Sequence, residues 1–541
     1  MDSSVLTEQK RNKTLYSFYV HNPTKEYLIS HEDVLNRKKG AMTLYENNRA
    51  VDDGCGCIEE NHYSIDEALF YSLERLLEYC AISNQGPTKS SRIFYIWFTS
   101  IVSGFNWIES SGPLNTTIDN FDFSIRYPLP TFDEKFVFMN RVFNSVCTTM
   151  IPGFSEYTLL EEERKALEIS IAEQVLLENK IKSKGHFDDW NIAWNTWYIN
   201  RSNDGSVLAA VPPMPCDLPN GPISLDVSDT IDPATYPQPL KWTPLKIGSN
   251  TQKYLTFTWE NVNSSGLTAP QTTTIKNSAI IFYPSLGARE AEIDEVVTIT
   301  NTLTDEQKVI AEFWAGGPFT VSPPGMFIYF WKEYNRVRNT AHTISLQHLF
   351  YSGLDLAIHL FEAGRLVWGL KYTYLQARPI QEIRRLYRGI TLTNYDGTPV
   401  LGESWVPYQE TNFVTPPFAD FPSGHSAYSR GFANVMNDWF GSSIGNYEIK
   451  YKNLKLISPL FDGDQTNKFG QFKIGKGSSL IQPSVVPSDD ITLNFENWDD
   501  MAMSAGISRK YGGIHATSAH TASVALANEL HTQLKLVWNL V

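Results

Sequence analysis

Three short stretches hold side chains able to do chemistry together: KYTYLQARP at 371–379, FPSGHSAY at 421–428 and SRKYGGIH at 508–515. In the second, Pro422 suits the first turn of a helix, where its missing N–H costs nothing. Ser423 brings a hydroxyl, and Gly424 lets a ligand come close to the backbone. Free N–H groups and the dipole at a helix N-terminus make a seat for an anion. His425 would stand beside that anion with an ionisation suited to proton transfer.

In the first stretch, Lys371 and Arg378 are seven residues apart, close to two helical turns, which predicts one face for both. Trp368 shares that face. In the third, Arg509 ends one helix, Gly512 and Gly513 allow a reversal, and His515 opens the next helix. Each stretch also has an ordinary reading: a solvated basic stripe, a capped helix, a surface histidine beside a turn.

The elements that would carry these residues are helical. SIDEALFYSLERLLEYC has Ser64 and Glu67 at capping-box spacing and apolar residues at helical period. TLLEEERKALEISIAEQVLLENKI repeats the pattern from Thr158. From Thr304 the helical period returns, with a long apolar run from about 342 to 377 that Pro379 should end. SAYSRGFANVMNDWFG is a further helix with Gly441 as its C-terminal cap.

This divides the chain into a polar N-terminal arm (1–60), a first helical half (61–202), a connecting region (203–300) and a C-terminal helical half (301–541) with the candidate anion site. The connecting region, rich in Pro, Gly and Thr, reads as loops with short strands. Residues 445–495 read as loops with short strands as well.

A chain of 541 residues with 42% hydrophobic residues can bury a large core, and a net charge of −14 argues against nucleic acid or an anionic membrane as a partner. Any anion site must be a local cationic pocket in an acidic exterior. Cys55, Cys57, Cys80, Cys147 and Cys216 lack a second pair at zinc spacing and are expected to be free and mostly buried. The N-terminus lacks a signal-peptide layout, which points to the cytoplasm. IFYIWFTSIVSGFNWI is short and polar for a membrane span and fits a buried helix. Nothing in the sequence sets the oligomeric state, a homo-oligomer included.

Taken in order, Lys-x6-Arg-Pro, Pro-Ser-Gly-His and Ser-Arg-x5-His resemble the signature of the vanadium-dependent haloperoxidases. That family is related to the type 2 phosphatidic acid phosphatases and acid phosphatases. EFWAGGPFTVSPPGMF, WVPYQETNFVTPPFADFPSGHSAYS and GISRKYGGIH look like successive blocks of the soluble haloperoxidases, and INRSNDGS with KWTPL resembles their upstream half. The resemblance spans about 65–535 and implies a mainly α fold, a helical bundle with a few short strands in long loops.

It also implies a cofactor, vanadate, with phosphate as its stand-in in the metal-free form. His515 would be the metal ligand. Lys371, Arg378 and Arg509 would neutralise the oxyanion, Ser423 and the Gly424 amide would donate hydrogen bonds, and His425 would be the acid–base group. Lys371 would polarise hydrogen peroxide for attack by halide, bromide or chloride, and the oxidant formed would halogenate small organic acceptors. Trp368 and Phe418 match positions that are aromatic in chloride-oxidising members.

Two departures stand out. Gly316 occupies the place of an aspartate that pairs with the arginine at 509, and Ala519 the place of an aspartate four residues after the ligand histidine. Thr517, Ser518 or His520 could substitute. Two other activities fit the same residues: a soluble acid phosphatase working through a phosphohistidine at His515, and an oxyanion-binding homologue without turnover.

Overall fold

The computed structural model describes residues 65–108, 240–339 and 344–538, with shorter pieces between 117 and 224. The arm at 1–60, most of the stretch at 158–181 and every cysteine but Cys80 lie outside the described residues. Cys80 is free and buried.

The chain is a helical bundle. Among the described residues its longer helices, in order, are α1 (Ile65–Ser83), α2 (Pro87–Ile108), α3 (Ala269–Ile280), α4 (Leu286–Asn301), α5 (Asp305–Phe313), α6 (Ser322–Arg338), α7 (Leu346–Tyr374), α8 (Pro379–Leu386), α9 (Gly424–Phe440), α10 (Trp498–Tyr511) and α11 (Thr517–Trp538). The strands are short and mostly in antiparallel pairs, such as 448–451 with 465–468 and 471–474 with 491–494, with one parallel pairing of 223–224 with 245–246.

Helix α7 forms the axis. Every residue from Leu349 to Lys371 is buried, as expected of a helix that is apolar all round. It packs on α2, α9 and α11, and α9 packs in turn on α10 and α11. The C-terminal end of α7, the N-terminus of α9 and the α10–α11 loop therefore meet in one place. No described helix is long and apolar enough to cross a membrane.

The connecting region differs from expectation, because α3 and most of α4 lie inside it. Thr268 and Gln271 form a capping box that starts α3, and Ser285 caps α4. The Thr-rich stretch QKYLTFTWENV forms a 3-10 turn at Trp259–Asn261, and further on Thr273 and Thr274 bond back along α3, to the Ala269 and Pro270 carbonyls.

The helix ends also differ. The long helix stops at Tyr374, with Leu375 in the left-handed region at φ 46°. Pro379 then opens α8 and leaves Arg378 at its N-cap. Lys371 and Arg378 are thus near one another because the chain reverses between them, not because they share a helix face. Pro422 lies before α9, whose N-cap is Ser423. His515 lies in the loop before α11, not at its start.

Candidate oxyanion site

The helix ends bring several of the expected side chains to one pocket of about 490 Å³, its open mouth included. Trp368, Phe418, Gly424, His425, Arg509 and His515 line it. Lys371, Arg378 and Ser423 stand behind that lining: the Lys371 ammonium is 5.2 Å from the Phe418 ring centre, Arg378 Nη1 is 3.1 Å from His515 Nε2, and Ser423 precedes Gly424. A Cβ at Gly424 would come 3.3 Å from the Trp368 ring, so only glycine keeps this wall open.

Lys371, in the last turn of α7, is fully buried. Its ammonium donates to the carbonyls of Ala419 at 2.7 Å and Asp420 at 2.9 Å, which leaves one of its three N–H groups. Arg378 donates Nε to the Phe418 carbonyl and Nη1 to that of Ile514, both at 2.7 Å. Arg509 gives Nη1 to the Trp314 carbonyl at 3.1 Å. His425 Nε2 reaches the same carbonyl at 2.9 Å. Ser423 caps α9 weakly, its hydroxyl 3.5 Å from the Ser426 amide.

Burial dominates the electrostatics. It lowers Arg378 to about 10, and burial with the charge of Arg378 lowers Arg509 to about 9. Burial, then Arg378, pulls Lys371 well below the lysine range. His425 is lowered well below 6.5 by burial, then by Arg509 and His515, and His515 by burial, then by Arg378. The shared cause is positive charge packed away from water with too little negative charge beside it.

Two buried donors have no partner, Nη2 of Arg378 and Nε of Arg509. A buried unsatisfied donor is costly, and an oxyanion between the two guanidiniums would satisfy both. The residues present fit vanadate or phosphate on that ground.

The two departures resolve differently. Gly316 has φ 56°, and a Cβ there would lie 3.2 Å from Pro323 and 3.3 Å from His425 Nε2. A carboxylate there would be strained, and the Trp314 carbonyl receives Arg509 and His425 instead. None of the suggested substitutes for an acid at 519 reaches His515. Thr517 bonds Glu295, Ser518 bonds Glu292, and His520 Nδ1 lies 2.9 Å from the Ser426 hydroxyl.

The acid beside His515 is Asp420, which sequence reasoning missed. Its Oδ1 lies 2.5 Å from His515 Nδ1. A carboxylate inside the apolar run PPFADF was the available signal, since buried acids need partners. Arg289 of α4, which pairs with Asp420 at 2.9 Å, carried no signal because its segment read as loop.

A helical bundle with an oxyanion cradle at its helix ends is the class that this fold and geometry define. Residues 353–535 match the family model described as the VCPO second helical-bundle domain. Over those residues, about a third of the chain, the protein is similar to the vanadium haloperoxidases.

Among solved structures, the fold is similar to an apo-type bacterial vanadium-dependent chloroperoxidase, with 14% identity and a TM-score of 0.57 over 83% of this chain and 95% of that one. It is similar to a holo-type bacterial vanadium-dependent chloroperoxidase at 13% identity and TM-score 0.56, over 91% and 96% of the two chains. A bacterial vanadium-dependent iodoperoxidase gives 18% and 0.52, over 87% and 96%. No curated protein matches the sequence.

Proposed function

We propose that the protein is a vanadate-dependent haloperoxidase that uses hydrogen peroxide to oxidise halide, bromide or chloride, for transfer to small organic acceptors. The observation that carries this reading is the pair of unpartnered buried guanidinium donors, of Arg378 and Arg509, beside a pocket that Arg509, His425 and His515 line. When bound, vanadate supplies a Lewis-acid centre that activates peroxide without changing its own oxidation state.

The chain's own residues divide the remaining work. Arg378 Nη2, Arg509 Nε and the last Lys371 N–H offset the oxyanion's charge, with the Ser423 hydroxyl and Gly424 amide as directed donors. His515 is the ligand. A carbonyl only accepts, so His425 donates through Nε2 to Trp314 and keeps Nδ1 free to take up a proton. Trp368 and Phe418, with ring centroids 4.8 Å apart, give an apolar wall against which a weakly hydrated halide could rest.

The same cradle suits phosphate monoesters, with His515 as nucleophile, so the test must separate the two. Metal-free protein is incubated with orthovanadate, and bromide- and chloride-dependent halogenation is followed with peroxide. Aryl phosphate hydrolysis is run in parallel without vanadate. Halogenation that needs vanadate, and is lost in His515→Ala, is the expected result. Hydrolysis that vanadate inhibits would replace this reading with the phosphatase, and binding without either turnover would leave an oxyanion receptor.

A further inference from the structure

We infer that Asp420 is the positioning residue that holds His515 as the Nδ1–H tautomer, with the Nε2 lone pair turned toward the oxyanion. The inference rests on the oxyanion reading above, but its first half concerns the protein alone. An ionised carboxylate can only accept, so at 2.5 Å from Asp420 Oδ1 the His515 Nδ1 must be the donor. Arg378 Nη1 lies 3.1 Å from Nε2 and 3.5 Å from Nδ1, so it touches both ring nitrogens. With Nδ1 committed to the carboxylate, Nε2 is the nitrogen left with the lone pair.

Asp420 is itself held. Arg289 Nη2 lies 2.9 Å from Oδ2 and also pairs with Glu382 of α8 at 2.7 Å, while bonding the Ala377 carbonyl at 2.9 Å. The Asp420 amide donates to the Gln376 carbonyl at 3.0 Å, and the Asp420 carbonyl accepts from Lys371 at 2.9 Å. One residue therefore aims the imidazole with its side chain and the ammonium with its main chain. A carboxylate behind a ligating imidazole fixes the ring's orientation and raises its donor strength. In this chain the acid comes from the loop before α9, where the resemblance placed it at the position of Ala519.

The test uses the full chain labelled with 15N-histidine, and His515→Gln assigns the His515 ring signals. Long-range 15N spectra of the vanadate-free protein should show His515 protonated at Nδ1. In Asp420→Ala that signature should be lost and vanadate affinity, read by calorimetry, should fall by about ten- to a hundredfold. Asp420→Asn, whose amide oxygen can still accept from Nδ1, should keep the tautomer and recover part of the affinity.

A His515 protonated at Nε2 in the unaltered protein would overturn the inference, as would a folded Asp420→Ala with unchanged tautomer and affinity. If Asp420→Ala fails to fold, Arg289→Gln is read by the same two measurements. Failure of vanadate to bind the unaltered protein would sink the oxyanion reading and leave the tautomer assignment standing on its spectrum.

Discussion

The Trp314 carbonyl shows how one main-chain oxygen takes a place where the resemblance led us to expect a side chain. It receives Arg509 and His425 together, and Gly316 packs against His425 where an aspartate was expected. Restoring the acid should therefore fail. Gly316→Asp forces a side chain onto a φ of 56° against Pro323 and His425. It should destabilise the protein by about 1–3 kcal/mol in denaturant melts and should not raise activity.

His425 gives a second prediction at this scale. Burial, then Arg509 and His515, lower its pKa well below 6.5, and an oxyanion would raise it again. Between those two values binding takes up a proton, so vanadate affinity should fall as pH rises through that window. Calorimetry in buffers of different ionisation enthalpy reads the uptake directly, and its absence would remove His425 from the role of proton carrier.

Helix α4 matters more than its sequence suggests. Glu292 accepts from the Ser518 amide and hydroxyl, at 2.7 and 2.8 Å. Glu295 holds Lys510 at 2.7 Å and also Thr517. These two residues clamp both sides of the loop that carries His515, as Arg289 clamps Asp420. Glu292→Ala leaves the N-terminus of α11 without its acceptor and should cost about 1–2 kcal/mol in denaturant melts, with a measurable loss of vanadate affinity.

None of this was legible from sequence, because threonines and prolines disguised the segment from 269 to 301 as loop and strand. The amphipathic and apolar helices, α1, α5, α6, α7 and α9, were legible, since their pattern and caps point the same way. Lys371 and Arg378 do not share a helix face, since the long helix ends between them. A left-handed Leu375, which no residue preference announces, supplies the reversal.

Across the molecule, the candidate site was readable because its residues sit in three compact stretches. The second layer was not, because Asp420, Arg289 and Glu382 reach it from positions with no spacing in common. The site also sets stability. An oxyanion that satisfies the orphaned guanidiniums binds only the folded chain. At a hundredfold excess over its dissociation constant it should add about 2.7 kcal/mol, read as a rise in Tm.

Acid acts the other way. Burial is the first cause holding His348, His425, His515, His520 and His531 below 6.5, with His531 at about 4. The unfolded chain binds protons on these rings first. Stability from them is full above 6.5 and drains as pH falls, toward about 4 for His531. Thermal melts at pH 5 should therefore fall below those at pH 7.5, and a flat profile would contradict the burial argument.

The exterior and the cradle carry opposite signs. With a net charge of −14, the far field turns halide and oxyanion away, while the recessed guanidiniums hold whatever gets through. Added inert salt shortens the reach of that repulsion to about 10 Å at 0.1 M. Capture should quicken with ionic strength while release barely changes, so this protein would work as a gate that brine opens.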